Sequence, residues 1–189
     1  MKFDTTQSKL LRIWNLHRDK SVKYHLNGLI YFDHSKYSNM AEPMVKPKCI
    51  FCRIGQKIPL EGSVQATELL YEDETFAAFR DHRPAGEHHY LIIPKRHIRA
   101  FNCLQFEDTP LIQDMAEVAK KLLADRIGRE VDDALVGFHW PFYTVGHLHL
   151  HAIWPPNRMS LFQKFEFSRL LFGSVSEALQ TLEKRKKSS

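Results

Sequence analysis

The stretch His147-Leu148-His149-Leu150-His151-Ala152-Ile153 alternates three histidines with apolar residues. On an extended chain, alternate side chains share a face. His147, His149 and His151 therefore point one way, and Leu148 and Leu150 point into a core. A rise of about 3.3 Å per residue sets neighbouring imidazoles roughly 7 Å apart. A row of nitrogen bases on a rigid element has two chemistries open to it. It can bind a metal, or it can bind and attack a phosphate. The apolar intervening positions, with Gly146 just before the row, argue against a surface strand that merely happens to be rich in histidine. A second chemical signal lies far upstream. Cys49 and Cys52 have the C-x-x-C spacing of half a zinc site. No second C-x-x-C exists, so any remaining ligands must be histidine.

The elements that must position these groups fit one α+β domain with extensions. Residues 1–45 lack a periodicity long enough to build a domain. They read as an extension, poorly ordered or loosely docked, with a short amphipathic stretch at Lys9–Trp14 and a turn signal at Asn27-Gly28. Residues 46–160 carry the compact domain. Leu69–Tyr71 and Thr75–Phe79 alternate in strand fashion around a polar Glu72-Asp73-Glu74 turn. Asp81–Glu87 is a loop, and His89–Ile93 a buried strand ended by Pro94. Thr109-Pro110 predicts a helix start with Thr109 as N-cap. Leu111, Met115, Val118 and Leu122 recur at helical spacing, and Gly128 is a C-cap. Ala134–Phe138 is a further strand before the histidine row. Residues 161–189 read as a C-terminal helix from Ser174 to Lys184 and a basic tail.

The totals exclude several classes. The 189 residues carry a formal net charge of +5 and three cysteines. The odd, small cysteine number argues for a reducing compartment without a disulfide framework. No run approaches bilayer-spanning length, and the N-terminus has no apolar signal core. A cytoplasmic or nuclear protein with no membrane association is expected. The modest basic charge suits anionic small molecules or weak nucleic-acid contact.

The histidine row with its two following apolar residues resembles the signature of the histidine triad (HIT) proteins. Cys49-Ile50-Phe51-Cys52-Arg53-Ile54 looks like that family's opening segment. His89-Tyr90-Leu91-Ile92-Ile93-Pro94-Lys95-Arg96-His97 looks like its H-x-x-V-I-P-K-x-H strand. The likeness covers residues 49 to about 154. Gly137-Phe138-His139 and the Pro-containing loop before the triad are most similar to the third Hint branch, the adenosine 5′-monophosphoramidases, and to aprataxin. No cysteine follows Cys103, so aprataxin's zinc finger is absent.

The resemblance implies an antiparallel sheet with one long helix and a C-terminal helix, and a purine-nucleotide site for AMP or AMP-amine conjugates. It assigns His149 as the nucleophile that forms an adenylyl-histidine, with the His147 backbone carbonyl taking its ring proton. His151 binds phosphate and donates a proton; His89 and His147 complete a network behind it. Asp81 holds the ribose hydroxyls. Ile50, Phe51, Ile54 and Phe79 form the base pocket, with core packing as the plain alternative. His82 lies against ribose or base, Thr144 supplies a hydroxyl to the phosphate or leaving group, and His139 either contacts phosphate or caps its loop. No cofactor is required for this reaction. A structural zinc on Cys49, Cys52 and His97, with His147 as a further ligand, is a parallel expectation. A homodimer through residues 111–123 is expected, although the same stripe could face the chain's own sheet. The competing functions are aprataxin-like removal of 5′-adenylate from nucleic acid and a non-catalytic nucleotide-binding adaptor.

Overall fold

The computed structural model describes residues 24–26, 29–31, 45–62 and 66–186. The chain divides into two units, Met1–Asn39 and Met40–Ser189. In the first, β1 (Tyr24–Leu26) and β2 (Leu29–Tyr31) pair antiparallel with Leu26 opposite Leu29. The Asn27-Gly28 signal and the Lys9–Trp14 stretch lie outside the described residues.

The second unit begins with a short helix, α1 (Ile50–Gly55), and then builds its sheet. The strands β3 (Tyr71–Glu72) and β4 (Phe76–Arg80) form the expected hairpin, closed by Asp73, whose Oδ1 accepts from the backbone N–H groups of Thr75 and Phe76. β5 (His88–Pro94) follows, then the long helix α2 (Thr109–Ile127), β6 (Leu135–His139) and β7 (Leu150–Trp154). The chain ends in α3 (Leu161–Glu166), β8 (Phe172–Ser174) and α4 (Val175–Lys186). Six strands form one antiparallel sheet in the order β3-β4-β5-β7-β6-β8. Phe76 to Phe79 and Tyr90 to Ile93 are buried at every position. That continuous burial is what an unbroken apolar run predicts for a central strand.

Three sequence expectations change in detail. The cap of α2 is Asp108, not Thr109. A 3₁₀ turn at Phe106–Asp108 runs directly into the helix, so Thr109 is already inside it and donates its hydroxyl to Phe106 O at 2.6 Å. Gly128 does end the helix, at φ 82°, a left-handed conformation that glycine adopts without strain. The strand carrying the histidine row starts only at Leu150. Continuing the β5–β7 register would set Leu148 opposite Pro94, which has no N–H to give. Leu148 N–H bonds instead to Ile98 O at 2.6 Å. The segment after residue 160 also does more than form a helix and a tail, because β8 extends the main sheet beside β6.

That last pairing depends on two glycines. A Cβ on Gly137 would lie 2.2 Å from Gly173 O, and a Cβ on Gly173 would lie 2.3 Å from the Trp140 ring. The predicted stripe of α2, with Leu111, Met115, Val118 and Leu122, is buried, and so are its neighbours Ile112, Ala116, Ala119 and Leu123. The helix packs on β5, β7 and α4. The surface expected to serve a dimer is thus already covered within one chain. No helix among the described residues is long and apolar enough to cross a membrane.

Candidate active site

His149 sits in the extended segment leading into β7, nearly enclosed at 8% exposure. Its Nδ1–H donates to the backbone carbonyl of His147 at 2.6 Å. A neutral imidazole carries one N–H, so this bond leaves the lone pair on Nε2. Burial holds the ring's pKa below its ordinary value, opposed by the hydrogen bond to His147 O. The ring is therefore a neutral base at pH 7.

A second chain of contacts runs through β5. The backbone N–H of Ala85 donates to His89 Nδ1 at 3.0 Å. Nδ1 is thus the acceptor, and His89 must carry its proton on Nε2. That atom donates to His151 Nδ1 at 2.9 Å. His151 in turn must carry its proton on Nε2, which is buried and has no partner among the described residues. Sequence-distant contacts thereby present an N–H donor from His151 beside a lone pair from His149, with ring centroids 5.0 Å apart. Burial pushes His89 down to about 4, against the opposing pull of the Asp81 carboxylate. His151 is held well below the ordinary range, first by burial and then by His149, His89 and His139.

Asp81 divides its two oxygens. Oδ1 accepts from the Arg83 backbone N–H at 2.8 Å and so shapes the loop, while Oδ2 lies 3.5 Å from His89 Nε2. Asp81, His89 and His151 are close enough to gather a metal. The proton between His89 and His151 leaves them no lone pairs for a shared ion, so the hydrogen-bonded chain is the better account. His139 closes on the group from β6. Its ring lies 4.8 Å from that of His151, and its Nδ1–H donates to Leu171 O at 3.0 Å.

Two residues absent from the sequence-derived set complete this wall. Phe167 packs against His139 at 4.9 Å, His151 at 5.4 Å and His89 at 5.8 Å. Phe172 packs against His139 at 5.3 Å and His151 at 6.0 Å. Neither has a local signature, because only the long-range pairing of β8 with β6 brings them here.

Of the expected base-pocket residues, Phe51, Ile54 and Phe79 share one buried apolar cluster with Ala77, Leu91 and Ile93. The Phe51 ring meets His149 edge-on at 5.2 Å. Ile50 stands at the rim, 42% exposed. His82 turns to solvent, with its side chain 83% exposed and Nδ1 3.4 Å from Asp81 Oδ1. Thr144 is exposed on a cleft of about 520 Å³ that it shares with Lys46, Lys48, Ile50 and Arg99.

This arrangement matches a known group of proteins. A sequence model described as "Scavenger mRNA decapping enzyme C-term binding" matches residues 48–165. Adenosine 5′-monophosphoramidase HINT3 of Danio rerio is 40% identical over 129 residues, which cover 68% of this chain and 77% of that one. The chain belongs to the histidine triad family. Within it, the likeness is to the Hint branch. A relative from Arabidopsis thaliana named bifunctional adenosine 5′-phosphosulfate phosphorylase/adenylylsulfatase HINT4 is 40% identical over 111 residues, covering 57% of this chain and 70% of its own. A crystal structure of a histidine triad protein from Clostridium difficile superposes with a TM-score of 0.51 at 25% identity, covering 58% of this chain and 92% of that one.

The first triad histidine of this family member serves a different cluster from the other two. His147 does not join His89 behind His151. Its Nε2–H donates to Pro94 O at 2.9 Å, leaving a lone pair on Nδ1. Nδ1 faces Cys49 Sγ and Cys52 Sγ, each at 3.5 Å, and His97 Nδ1 lies 3.3 Å from Cys52 Sγ. A tetrahedral zinc with its usual bond lengths separates sulfur from nitrogen ligands by about 3.5 Å. The four ligand atoms all lie within 4.8 Å of one another. Burial pushes the Cys52 thiol up to about 11, and a bound cation would reverse that preference. The backbone N–H of Lys46 points at Cys52 Sγ from 3.5 Å. Donor set, spacing and tautomer all fit a structural zinc ion.

Proposed function

We propose that the chain hydrolyses the bond between the phosphorus of an AMP unit and an amine leaving group, through an adenylyl-histidine at His149. The observation that carries this reading is the 2.6 Å bond from His149 Nδ1–H to His147 O. It prepares the opposite nitrogen as a neutral nucleophile and stabilises the positive ring that forms when that nitrogen attacks. In the first step His149 Nε2 bonds to phosphorus as the phosphorus–nitrogen bond breaks. His151 Nε2–H donates a hydrogen bond to the departing nitrogen, which takes its proton from a water beside it. The hydroxide so formed attacks the phosphorus of the adenylyl-histidine and breaks its bond to His149 Nε2. AMP leaves and His149 returns to its starting state. Assisted proton transfer of this kind contributes roughly 10²–10⁴-fold. Asp81 meets the ribose hydroxyls, and the edge of the Phe51, Ile54 and Phe79 cluster, with Ile50 at its rim, meets the base. Cys49, Cys52, His97 and His147 would hold a structural zinc ion that braces the segment, outside the steps of the reaction. The name of the Danio rerio relative supports the substrate class.

The test is rapid quenching of enzyme mixed with an AMP–amine phosphoramidate, followed by mass spectrometry. AMP mass attached to the peptide containing His149 is expected. Adduct on another residue, or AMP release unchanged in His149→Ala, would sink the proposal and favour a binding adaptor.

A specific feature favours a second class of leaving group. The cleft beside Thr144 carries Lys46, Lys48 and Arg99, a basic surface suited to an oxyanion such as sulfate, the phosphate of a nucleic-acid 5′ end, or another phosphate. The adenylylsulfatase named in the Arabidopsis thaliana relative has a leaving group of this charge. Comparing turnover of an AMP-amine, adenosine 5′-phosphosulfate and 5′-adenylated DNA ranks the classes, and a loss of the anionic preference in added salt identifies the electrostatic part.

A further inference from the structure

We propose that His147 couples metal occupancy to the readiness of the nucleophile, so that zinc and nucleotide bind cooperatively. The proposal rests on the reading of His149 as the residue that meets the phosphorus. It adds to that reading a link between two clusters that share a single residue.

The link has two arms. In the first, the His147 ring presents Nδ1 to the two thiols, while the carbonyl of the same residue holds His149 Nδ1–H at 2.6 Å. A metal bond on Nδ1 fixes the ring torsions, and through them the peptide that carries this carbonyl. Without it, the ring keeps its bond to Pro94 O and only the long, 3.5 Å contacts of Nδ1 to the two thiols. The second arm runs through α1. Cys49 and Cys52 flank Phe51, whose ring touches both His147 at 6.0 Å and His149 at 5.2 Å. α1 has only six residues, too few to be stable by itself. A metal shared by Cys49, Cys52, His97 and His147 would cross-link this short helix to a segment some 95 positions away in sequence. His149 lies between the two things the metal draws together, the Phe51 ring and the His147 carbonyl.

Whatever zinc does for the orientation of His149, a phosphate held by His149 must do in return for zinc. This follows from thermodynamic linkage, and couplings of this kind typically amount to roughly 5- to 150-fold. His147 is thus a positioning residue for the reaction as well as a metal ligand.

The experiment uses the full chain, with AMP as the nucleotide probe and zinc as the metal probe. Calorimetry measures AMP affinity in zinc-loaded and chelator-stripped protein. Competition with a chromophoric chelator measures zinc affinity with and without saturating AMP. Stripped protein should bind AMP at least about fivefold more weakly, and AMP should tighten zinc by the same factor. Nitrogen-15 NMR of the imidazoles supplies a readout that mere loss of stability would not move. The loaded protein should show a His149 Nδ1–H protected from exchange, and the stripped but still folded protein should lose that protection. His97→Asn removes a zinc ligand remote from the His147 carbonyl, and it should weaken zinc binding and AMP binding together.

Equal AMP affinity in loaded and stripped folded protein, with an unchanged Nδ1–H signal, would overturn the coupling. Failure to bind zinc through these four residues would overturn it as well. These outcomes separate from the quench experiment. If AMP is trapped on His149 but the linkage is missing, the coupling alone is wrong. If the linkage is present but AMP is never trapped there, the covalent mechanism is wrong.

Discussion

Replacing His89 with glutamine tests the buried proton chain more sharply than removing it. Glutamine's Nε2 can occupy the place of the imidazole Nε2 and keep donating to His151 Nδ1, now 2.9 Å away. It cannot also take the Ala85 N–H that His89 Nδ1 accepts at 3.0 Å. Leaving that buried N–H unmet costs about 1–3 kcal/mol at pH 7. The wild type has a liability that the variant lacks. Burial lowers His89 from 6.5 to about 4 in the folded protein. Between those values the unfolded chain binds the extra proton, so folded stability rises with pH. The contribution is complete above pH 6.5 and is lost as pH falls toward about 4, a change on the order of 3 kcal/mol. Glutamine does not titrate. Urea unfolding at a series of pH values should therefore show the wild type ahead at pH 7 and the gap closing, or reversing, near pH 4. His147 and His149 titrate in both proteins and cancel in the difference. Parallel curves through this window would refute the assignment of His89 as a buried neutral ring. In catalysis, His89→Gln should retain kcat within about tenfold, whereas His89→Ala should lose much of the roughly 10²–10⁴-fold proton-transfer effect. Equal kcat in the two variants would show that His89 does not set the tautomer of His151.

Further outcomes follow from the same geometry. Phe167→Ala opens the wall over His89, His139 and His151, and should cost roughly 2 kcal/mol, less than a fully buried phenylalanine; an unchanged urea midpoint would contradict the packing. Gly173→Ala places a methyl 2.3 Å from the Trp140 ring. The stack of Trp140 on Phe101, at 4.4 Å, must then shift, and near-ultraviolet circular dichroism should lose intensity while far-ultraviolet signal persists. His82→Ala removes an exposed ring and should leave KM for an AMP-amine within about twofold; a large rise would return His82 to the ribose site. Since α4 and the sheet already bury the Leu111, Met115, Val118 and Leu122 stripe of α2, a dimer found by light scattering would have to use a surface other than that stripe.

Local pattern determined a good part of this molecule. Unbroken apolar runs marked the central strands β4 and β5, 3.6-residue periodicity marked α2, and Gly128 marked its end, because these features report which faces each element must bury. Residue type and spacing also brought His149, His151 and the Cys49–Cys52 pair to notice, since few patterns place so many ligating or nucleophilic atoms together. Division of labour within the triad was decided by the tertiary structure. Pro94 interrupts the ladder opposite Leu148, so the His147 ring reaches the thiols while its carbonyl serves His149. No period-two rule distinguishes those two directions. His89 acquires its tautomer from the Ala85 N–H and passes it to His151, a dependence that exists only where the loop, β5 and β7 meet. Phe167 and Phe172 reach the histidines where Gly137 lets the backbone of β8 approach closely and Gly173 makes room for the Trp140 ring. Sequence pattern encodes which face a residue occupies along its own element. Contacts between elements distant in the chain depend on register and close packing, and those are set when the whole sheet forms.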